Sequence, residues 1–230
     1  MKKGIQKIFS EVAETYEIVN HVLTFGMDIV WRKKAARLGL DAGDSFWLDI
    51  CSGTGEMAQN LSRYAKKRTR IVSVDFNDQM LSKALEKKHI PNLSFVLADA
   101  EFLPFKLGTF DLLTISFATR NINLNKKTLI NRFKEFHRIL KPGGYFINLE
   151  TSQPRFQVLR KLFHLYVKFA VKNIGFLLSG SRSSYIYLSS TIPRFFCPEE
   201  LSSILYHSGF AYVSFRSMLF GIAAIHISIK

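Results

Sequence analysis

The chain has 230 residues, 47% of them hydrophobic, and a formal net charge of +14, which bounds it to one domain, or one with an appendage, built on an ample core. Its two cysteines, Cys51 and Cys197, exclude a disulfide framework and fit a reducing cytoplasmic compartment. The apolar region Leu162 to Leu178 is broken by His164, Lys168, Lys172 and Asn173, which excludes a bilayer span.

No apolar run follows Met1-Lys2-Lys3, so no signal peptide is expected. Residues Ile5 to Val19 read as an amphipathic helix, with Ile5, Ile8, Phe9, Val12, Tyr16 and Val19 on one side. A second helix, Asp28 to Leu38, follows the break at Phe25-Gly26-Met27. Both precede the first strand, so they can fold over the carboxyl edge of a sheet as a lid. Tyr16, Asn20 and Asp28 are the polar residues there that could face a ligand. Simple packing of Tyr16 and a helix end at Asn20 would account for the same pattern.

Trp47-Leu48-Asp49-Ile50-Cys51-Ser52-Gly53-Thr54-Gly55-Glu56 is a strand feeding a small-residue turn and then a helix, Glu56 to Ala65. That is the nucleotide-cradling half of a Rossmann-like unit. Gly53 and Gly55 let the backbone turn sharply and approach a ligand. The turn formally fits a dinucleotide fingerprint, but Asp49 and Glu56 flank it. A helix start prepared for pyrophosphate should offer bare N–H groups and no carboxylates. Two acids suit a cationic ligand, and S-adenosylmethionine (SAM) carries an ammonium and a sulfonium.

The next strand, Arg70 to Val74, ends in Asp75, about 20 residues past the glycines, where a carboxylate can accept both ribose hydroxyls. Capping the helix Asn77 to Lys88 is its simpler role. A third strand, Leu93 to Leu97, ends in Ala98-Asp99-Ala100-Glu101, and Asp99 could accept from an adenine amine. Three successive strands thus end in acids at the edge where open α/β sheets bind ligands. The fourth strand, Phe110 to Phe117, runs into Ser116-Phe117-Ala118-Thr119-Arg120-Asn121. Arg120 and Asn121 therefore stand at the chemical edge of a central strand, unless Arg120 serves only in a salt bridge.

A helix over Lys126 to Leu140 stops at the turn signal Lys141-Pro142-Gly143-Gly144, and Tyr145 to Leu149 forms the fifth strand, ending in Glu150. Residues Pro154 to Ser190 break the strand–helix alternation and read as a helical, basic and aromatic insert. From Thr151 onward nine basic residues face two acids, so this third carries half the net charge. Such a surface suits an anionic membrane or an oily cavity; core packing with a solvated basic face is the alternative. Pro198 to Ser208 is the last helix, and Phe210 to Ser217 with Gly221 to Ile229 form a closing hairpin.

Asp49 through Glu56, Asp75, Asp99 to Phe105 and Leu140-Lys141-Pro142-Gly143-Gly144, in this order, resemble a class I SAM-dependent methyltransferase. Val12-Ala13-x-x-Tyr16-x-x-x-Asn20, Leu23-x-x-Gly26-x-x-x-x-Trp31-Arg32, Ser116-Phe117-x-x-Arg120-Asn121, Ser184-Tyr185-x-Tyr187-Leu188 and His226-x-x-x-Lys230 extend the likeness across nearly the whole chain. They resemble the C-methyltransferases of menaquinone and ubiquinone biosynthesis.

The resemblance implies an α/β, Rossmann-like fold: a seven-stranded, mostly parallel sheet with helices on both faces. Residues 1–40 would be the lid, 41–150 the SAM-binding core, 151–197 the insert and 198–230 the closing helix and hairpin. It implies SAM contacts at Gly53, Thr54, Asp75, Asp99, Ala100 and Ser116, with Asp49 and Gly55 added by the turn itself. It implies S-adenosylhomocysteine as product and a polyprenylated quinol as methyl acceptor, demethylmenaquinol first. Arg120, Asn121 and Tyr16 would be catalytic; Asn20, Asp28, Tyr185 and Tyr187 would hold the acceptor; no metal is expected.

A neutral lid Asp or His could serve as the base, or Arg120 could hold a water that takes the proton; the sequence singles out none. Peripheral contact with the cytoplasmic face of an anionic membrane and a homodimer complete the expectations. The family's usual His is Asp28 here, and its usual Gly-Leu before Arg-Asn is Ala118-Thr119. The rival readings are methylation of another small molecule or of nucleic acid, NAD chemistry, and a catalytically dead SAM-fold partner. Nucleic acid is disfavoured because no Asn/Asp-Pro-Pro-aromatic motif follows strand four.

Overall fold

A computed structural model describes residues 2–87 and 89–230. Its sheet has seven strands: β1 (Phe46–Ile50), β2 (Arg70–Asp75), β3 (Leu93–Leu97), β4 (Phe110–Ser116), β5 (Leu140–Thr151), β6 (Tyr212–Met218) and β7 (Ala223–Ile229). The spatial order is β3-β2-β1-β4-β5-β7-β6. Strands β1 to β5 pair in parallel, and β7 runs antiparallel between β5 and β6. The order reverses between β1 and β4, so their carboxyl ends open the crevice where this architecture takes ligands.

The central strands β1 and β4 are mostly apolar and almost wholly buried because both faces are covered, whereas the edge strands β3 and β6 are partly exposed. On one face α7 (Lys126–Ile139) and α11 (Pro198–His207) pack through Leu129, Phe133, Phe136, Leu201, Ile204 and Leu205. Phe133, Phe136, Phe146 and Phe210 form a chain of rings there, with centroids 5.6–5.9 Å apart. On the other face α3 (Met27–Leu38) and α4 (Glu56–Tyr64) bring Trp31, Ala35, Ala36, Met57 and Leu61 onto Trp47, Leu112, Ile147 and Ile225.

The expected lid, residues 1–40, divides: α3 packs on the sheet face and brings Asp28 and Arg32 to its edge, while α1 (Lys2–Val12) and α2 (Tyr16–Leu23) lie over that edge. The stripe read as one helix from Ile5 to Val19 is interrupted by a turn at Ala13–Thr15, where Thr15 N–H donates to Val12 O. That turn redirects α2, so Val19 and Leu23 join Val12, Phe163, Val167, Tyr185 and Ile192 in a third cluster.

The insert supplies the other half of that cluster. A continuous helix runs from Gln157 to Ser179 as α8 (Gln157–Tyr166), a π-helical stretch (Val167–Val171) and α9 (Lys172–Ser179); α10 (Arg182–Thr191) returns along it. The lid and the insert are therefore one helical body. The remaining helices are α5 (Asp78–Leu85) and the short α6 (Thr119–Ile122). The expected end of α5 at Lys88 lies outside the described residues.

Strand β5 begins at Leu140, five residues earlier than expected. The Lys-Pro-Gly-Gly turn signal is accommodated as an irregularity in the β4–β5 ladder, with Gly143 at φ +72°. Proline and glycine are tolerated at such bulges. Gly143 N–H is satisfied by Lys230 O at 2.9 Å.

Candidate active site

Strands β1 and β4 are each followed directly by a non-glycine residue in the left-handed region, Cys51 at φ +54° and Phe117 at φ +55°. Strain of this kind persists where the surroundings enforce it, and it concentrates at sites. After Cys51 the backbone continues through Gly53 at φ +54° and Gly55 at φ +80°, which caps α4. Gly53 N–H donates to Asp75 Oδ2 at 2.8 Å, and Asn77 N–H donates to Oδ1 at 2.9 Å. The Asp75 carboxylate thereby ties the turn to β2. Burial pushes its pKa up, against the pull of these backbone donors.

The turn opens on a cleft of about 90 Å³ lined by Cys51, Ser52, Gly53, Thr54, Asp75, Asp99, Ala100, Ser116 and Asn121, and roofed by Ile5 and Phe9 of α1. A Cβ on Gly53 would meet nothing within 4 Å, so the turn presents bare backbone there. The Ser52 hydroxyl on this wall is buried and has no hydrogen-bond partner among the described residues. Bare backbone, an unpartnered hydroxyl and three wall carboxylates, Glu56, Asp75 and Asp99, fit a nucleoside with a cationic tail.

A second cavity of about 370 Å³ lies behind Tyr16, Arg32 and Phe117, which line both spaces. Asn20, Thr24, Asp28, Arg120 and Thr151 add to its polar lining; Leu159, Leu162, Phe163, Val167 and Val171 make much of the rest. Burial holds the Tyr16 phenol above its usual range, so it is neutral at this boundary.

Arg32 is clamped in the wall. Its Nη1 donates to Asp28 Oδ2 at 2.5 Å and its Nη2 lies 3.2 Å from Glu56 Oε2, with the guanidinium carbon 5.0 Å from the Phe117 ring centre. Asp28 also accepts from Thr24 Oγ1 at 2.6 Å and sits 2.9 Å from His21 Nδ1. Burial alone would raise the Asp28 pKa, but Thr24, Arg32 and His21 together hold it below the ordinary value. Glu56 moves the other way, pushed up chiefly by burial. His21, Asp28 and Glu56 have the donor set of a metal site. Arg32, however, already places a fixed cation against both carboxylates.

Arg120 has the ion-pair partner that a purely structural role would require. Its backbone N–H donates to Glu150 Oε2 at 3.0 Å, and Nη1 donates to Glu150 Oε1 at 3.3 Å and to Thr151 Oγ1 at 3.0 Å. The same contacts hold it on the second cavity's wall, with Nε buried and unpartnered.

Several expected site residues stand elsewhere. Asp49 is fully buried one residue before the end of β1, accepting from Thr114 Oγ1 at 2.7 Å, and is not on the cleft wall. Gly55 also stands behind the wall, where a Cβ would come within 3.2 Å of Ala84. Tyr185 is 1% exposed and belongs to the lid–insert cluster, not to either cavity lining. Tyr187 reaches Asn121 Oδ1 at 3.4 Å but lines neither cavity. Asn121 faces the first cleft. Arg32 and His21 were not foreseen as site residues. The i,i+4 spacing of Asp28 and Arg32 was the available signal.

The chain matches the family model described as the ubiE/COQ5 methyltransferase family over residues 1–230. It belongs to the ubiE/COQ5 methyltransferase family. It is 33% identical over 231 residues to a demethylmenaquinone methyltransferase of Staphylococcus aureus (strain JH9), covering 100% of this chain and 94% of that protein. Among solved structures, a SAM-dependent methyltransferase from Aquifex aeolicus aligns with TM-score 0.57 at 14% identity, over 82% of this chain and 83% of that one. Human N-acetylserotonin methyltransferase in complex with SAM aligns with TM-score 0.61 at 17% identity, over 94% of this chain and 57% of that one. These two establish the fold. As a ubiE/COQ5 methyltransferase the chain is a SAM-dependent enzyme of quinone biosynthesis, and SAM is its cofactor.

Proposed function

We propose that this ubiE/COQ5 methyltransferase transfers a methyl group to the ring carbon of demethylmenaquinol, a prenylated naphthoquinol, giving menaquinol. The observation that carries this is the 370 Å³ cavity, lined largely by apolar side chains with a polar end at Tyr16, Asn20, Thr24, Asp28, Arg32, Arg120 and Thr151, which meets the cofactor cleft at Tyr16, Arg32 and Phe117. The name of the Staphylococcus aureus relative supports the same acceptor. In this reading Gly53, Thr54, Asp75, Asp99, Ala100 and Ser116 hold the cofactor, which supplies an electrophilic methyl group.

The chain's own residues make the acceptor nucleophilic and aim it. A ring carbon ortho to a hydroxyl becomes reactive when that hydroxyl ionises. Arg120, fixed by Glu150 and Thr151, stabilises the developing phenolate. Asp28, kept ionised by Thr24, Arg32 and His21, faces the acceptor hydroxyl and orients His21, whose side chain is 31% exposed and gives the departing proton a way out. Tyr16 and Phe117 hold the ring edge toward the cleft, and orientation of this kind supplies much of the rate for an in-line displacement. Methyl transfer would leave the ring carbon with a hydrogen to lose as a proton, and its return to the ring oxygen beside Arg120 restores the hydroxyl, so one proton in all leaves the site. The apolar lining from α8 to α10 takes the isoprenoid tail.

The decisive experiment is methyl transfer from radiolabelled SAM to short-tailed demethylnaphthoquinols and to the corresponding benzoquinols. Transfer to the naphthoquinol carbon is expected. Transfer to the benzoquinol alone, or to neither, would overturn the assignment.

A further inference from the structure

Two surface turns hold aromatic residues in a conformation that suits glycine. Phe25 sits at φ +53° and is 83% exposed; Phe220 sits at φ +56° and is 76% exposed, directly after Leu219 at φ +42°. Left-handed backbone disfavours side chains with a Cβ, and exposing a phenyl ring to water adds to that cost. Neither turn is stabilised by what its aromatic ring buries within the chain.

Both turns belong to the mouth of the acceptor cavity. Phe25 and Leu219 line it, as does Leu162 of α8. The Phe25 ring lies 6.3 Å from that of Tyr166, whose hydroxyl donates to Leu23 O at 2.6 Å. Leu165 and Phe169, next along the same helix, are each 54% exposed. A contiguous apolar rim of this kind around a cavity mouth marks a contact surface.

The charge beside the rim chooses the partner. Arg155, Lys161 and Lys168 are exposed and have no ion-pair partner among the described residues, and no acid occurs between Thr151 and Pro198. A second copy of the chain docking here in the usual self-complementary way would set these cations against their own kind. Lipid phosphates would neutralise them, while the aromatic and aliphatic tips enter the acyl boundary and the lysine stems extend to the headgroups.

We infer that the rim formed by Phe25, Leu162, Leu165, Phe169, Leu219 and Phe220 is the face by which this enzyme docks on an anionic lipid bilayer, setting the acceptor cavity mouth against the membrane. This rests on the reading that the acceptor is a prenylated quinol, since such a substrate enters from lipid.

The test uses the full chain and vesicles free of quinol: phosphatidylcholine alone, or with phosphatidylglycerol added. Wild type should partition to the anionic vesicles about tenfold more strongly, and added salt should erase the difference. Phe169→Ser with Phe220→Asn should lose about tenfold of that binding; asparagine accepts the left-handed backbone, so the turn is kept. Lys161→Glu with Lys168→Glu should lose the anionic preference. None of these four residues lines either cavity, so both double variants should methylate a short-tailed quinol in solution at the wild-type rate. That solution assay judges the proposed acceptor independently of the vesicles. Wild type failing to bind anionic vesicles would overturn the docking face. So would a change in sedimentation from dimer to monomer in Phe169→Ser/Phe220→Asn with vesicle binding unaltered, which would make the rim an interface between copies.

Discussion

At the scale of single residues the sheet's acids divide by environment. Asp75 and Asp99 reach the cleft, but Asp49 is sealed behind it with Oδ2 unpartnered, and burial pushes its pKa up to about 7. A carboxyl raised in the folded state takes up a proton on folding, so its contribution is full below the unfolded value near 3.8 and is lost as pH rises toward 7. Asp49→Asn should therefore flatten the fall in melting temperature between pH 5 and pH 8; an unchanged slope would show that Asp49 stays ionised. Arg120 makes a second case. It lines the acceptor cavity and not the cleft, so Arg120→Ala should lower turnover about a hundredfold or more while SAM affinity stays near wild type. That change also strands Glu150 as a buried unpaired carboxylate. Arg120→Met with Glu150→Gln separates lost chemistry from lost folding. Equal losses of turnover and SAM affinity in the double variant would remove the assigned role.

At the scale of elements the insert turns on one glycine. A Cβ at Gly175 of α9 would fall 2.1 Å from Cδ1 of the Tyr185 ring, so α9 and α10 cross at a contact that admits no side chain. Gly175→Ala should cost about 1–3 kcal/mol, toward the upper end, measured by chemical denaturation. Gly175→Ala with Tyr185→Leu should recover part of it if the clash is the cause. This contact also places Tyr185, which the resemblance offered as an acceptor contact, against α9 and away from both cavity linings. A motif carries residue types and not the direction a side chain takes, so this was not legible in the sequence. The strands were legible because their runs are short, apolar and stopped by acids or glycines, and β3 begins and ends at the expected residues. The start of β5 was not legible, because a Lys-Pro-Gly-Gly sequence reads as a stop wherever the ladder cannot be seen to absorb it. Likewise the Arg32 clamp joins residues of α3 and α4 that are 24 apart in sequence, and only its i,i+4 half was visible.

At the scale of the whole molecule, the lid joins the insert around one apolar cluster and meets the core beneath it mainly through polar side chains. Ser184 Oγ donates to Ile8 O at 3.0 Å, Ser181 and Ser183 both donate to Glu11 Oε2, and Tyr166 donates to Leu23 O, all around one apolar cluster. Toward the core, α1 and α2 have the Asn77 side chain, which donates to Gln6 O and Ser10 Oγ at 3.0 Å each, and the Lys87–Glu17 ion pair. Ile5 and Phe9 of α1 roof the cofactor cleft, and Tyr16 of α2 stands in the wall between the two cavities. A ligand in the cleft therefore meets this helical body from below. Regions held by few contacts open below the global unfolding energy, so α1, α2 and the insert should open together. S-adenosylhomocysteine, which binds without turnover, should slow amide hydrogen exchange across α1, α2 and residues 157–191 as a block, leaving β1, β4 and β5 unchanged. Protection confined to the β1–α4 turn and β2 would mean that the roof does not move when the cleft fills. Protection of α1 and α2 without the insert would mean that the two halves are separate bodies.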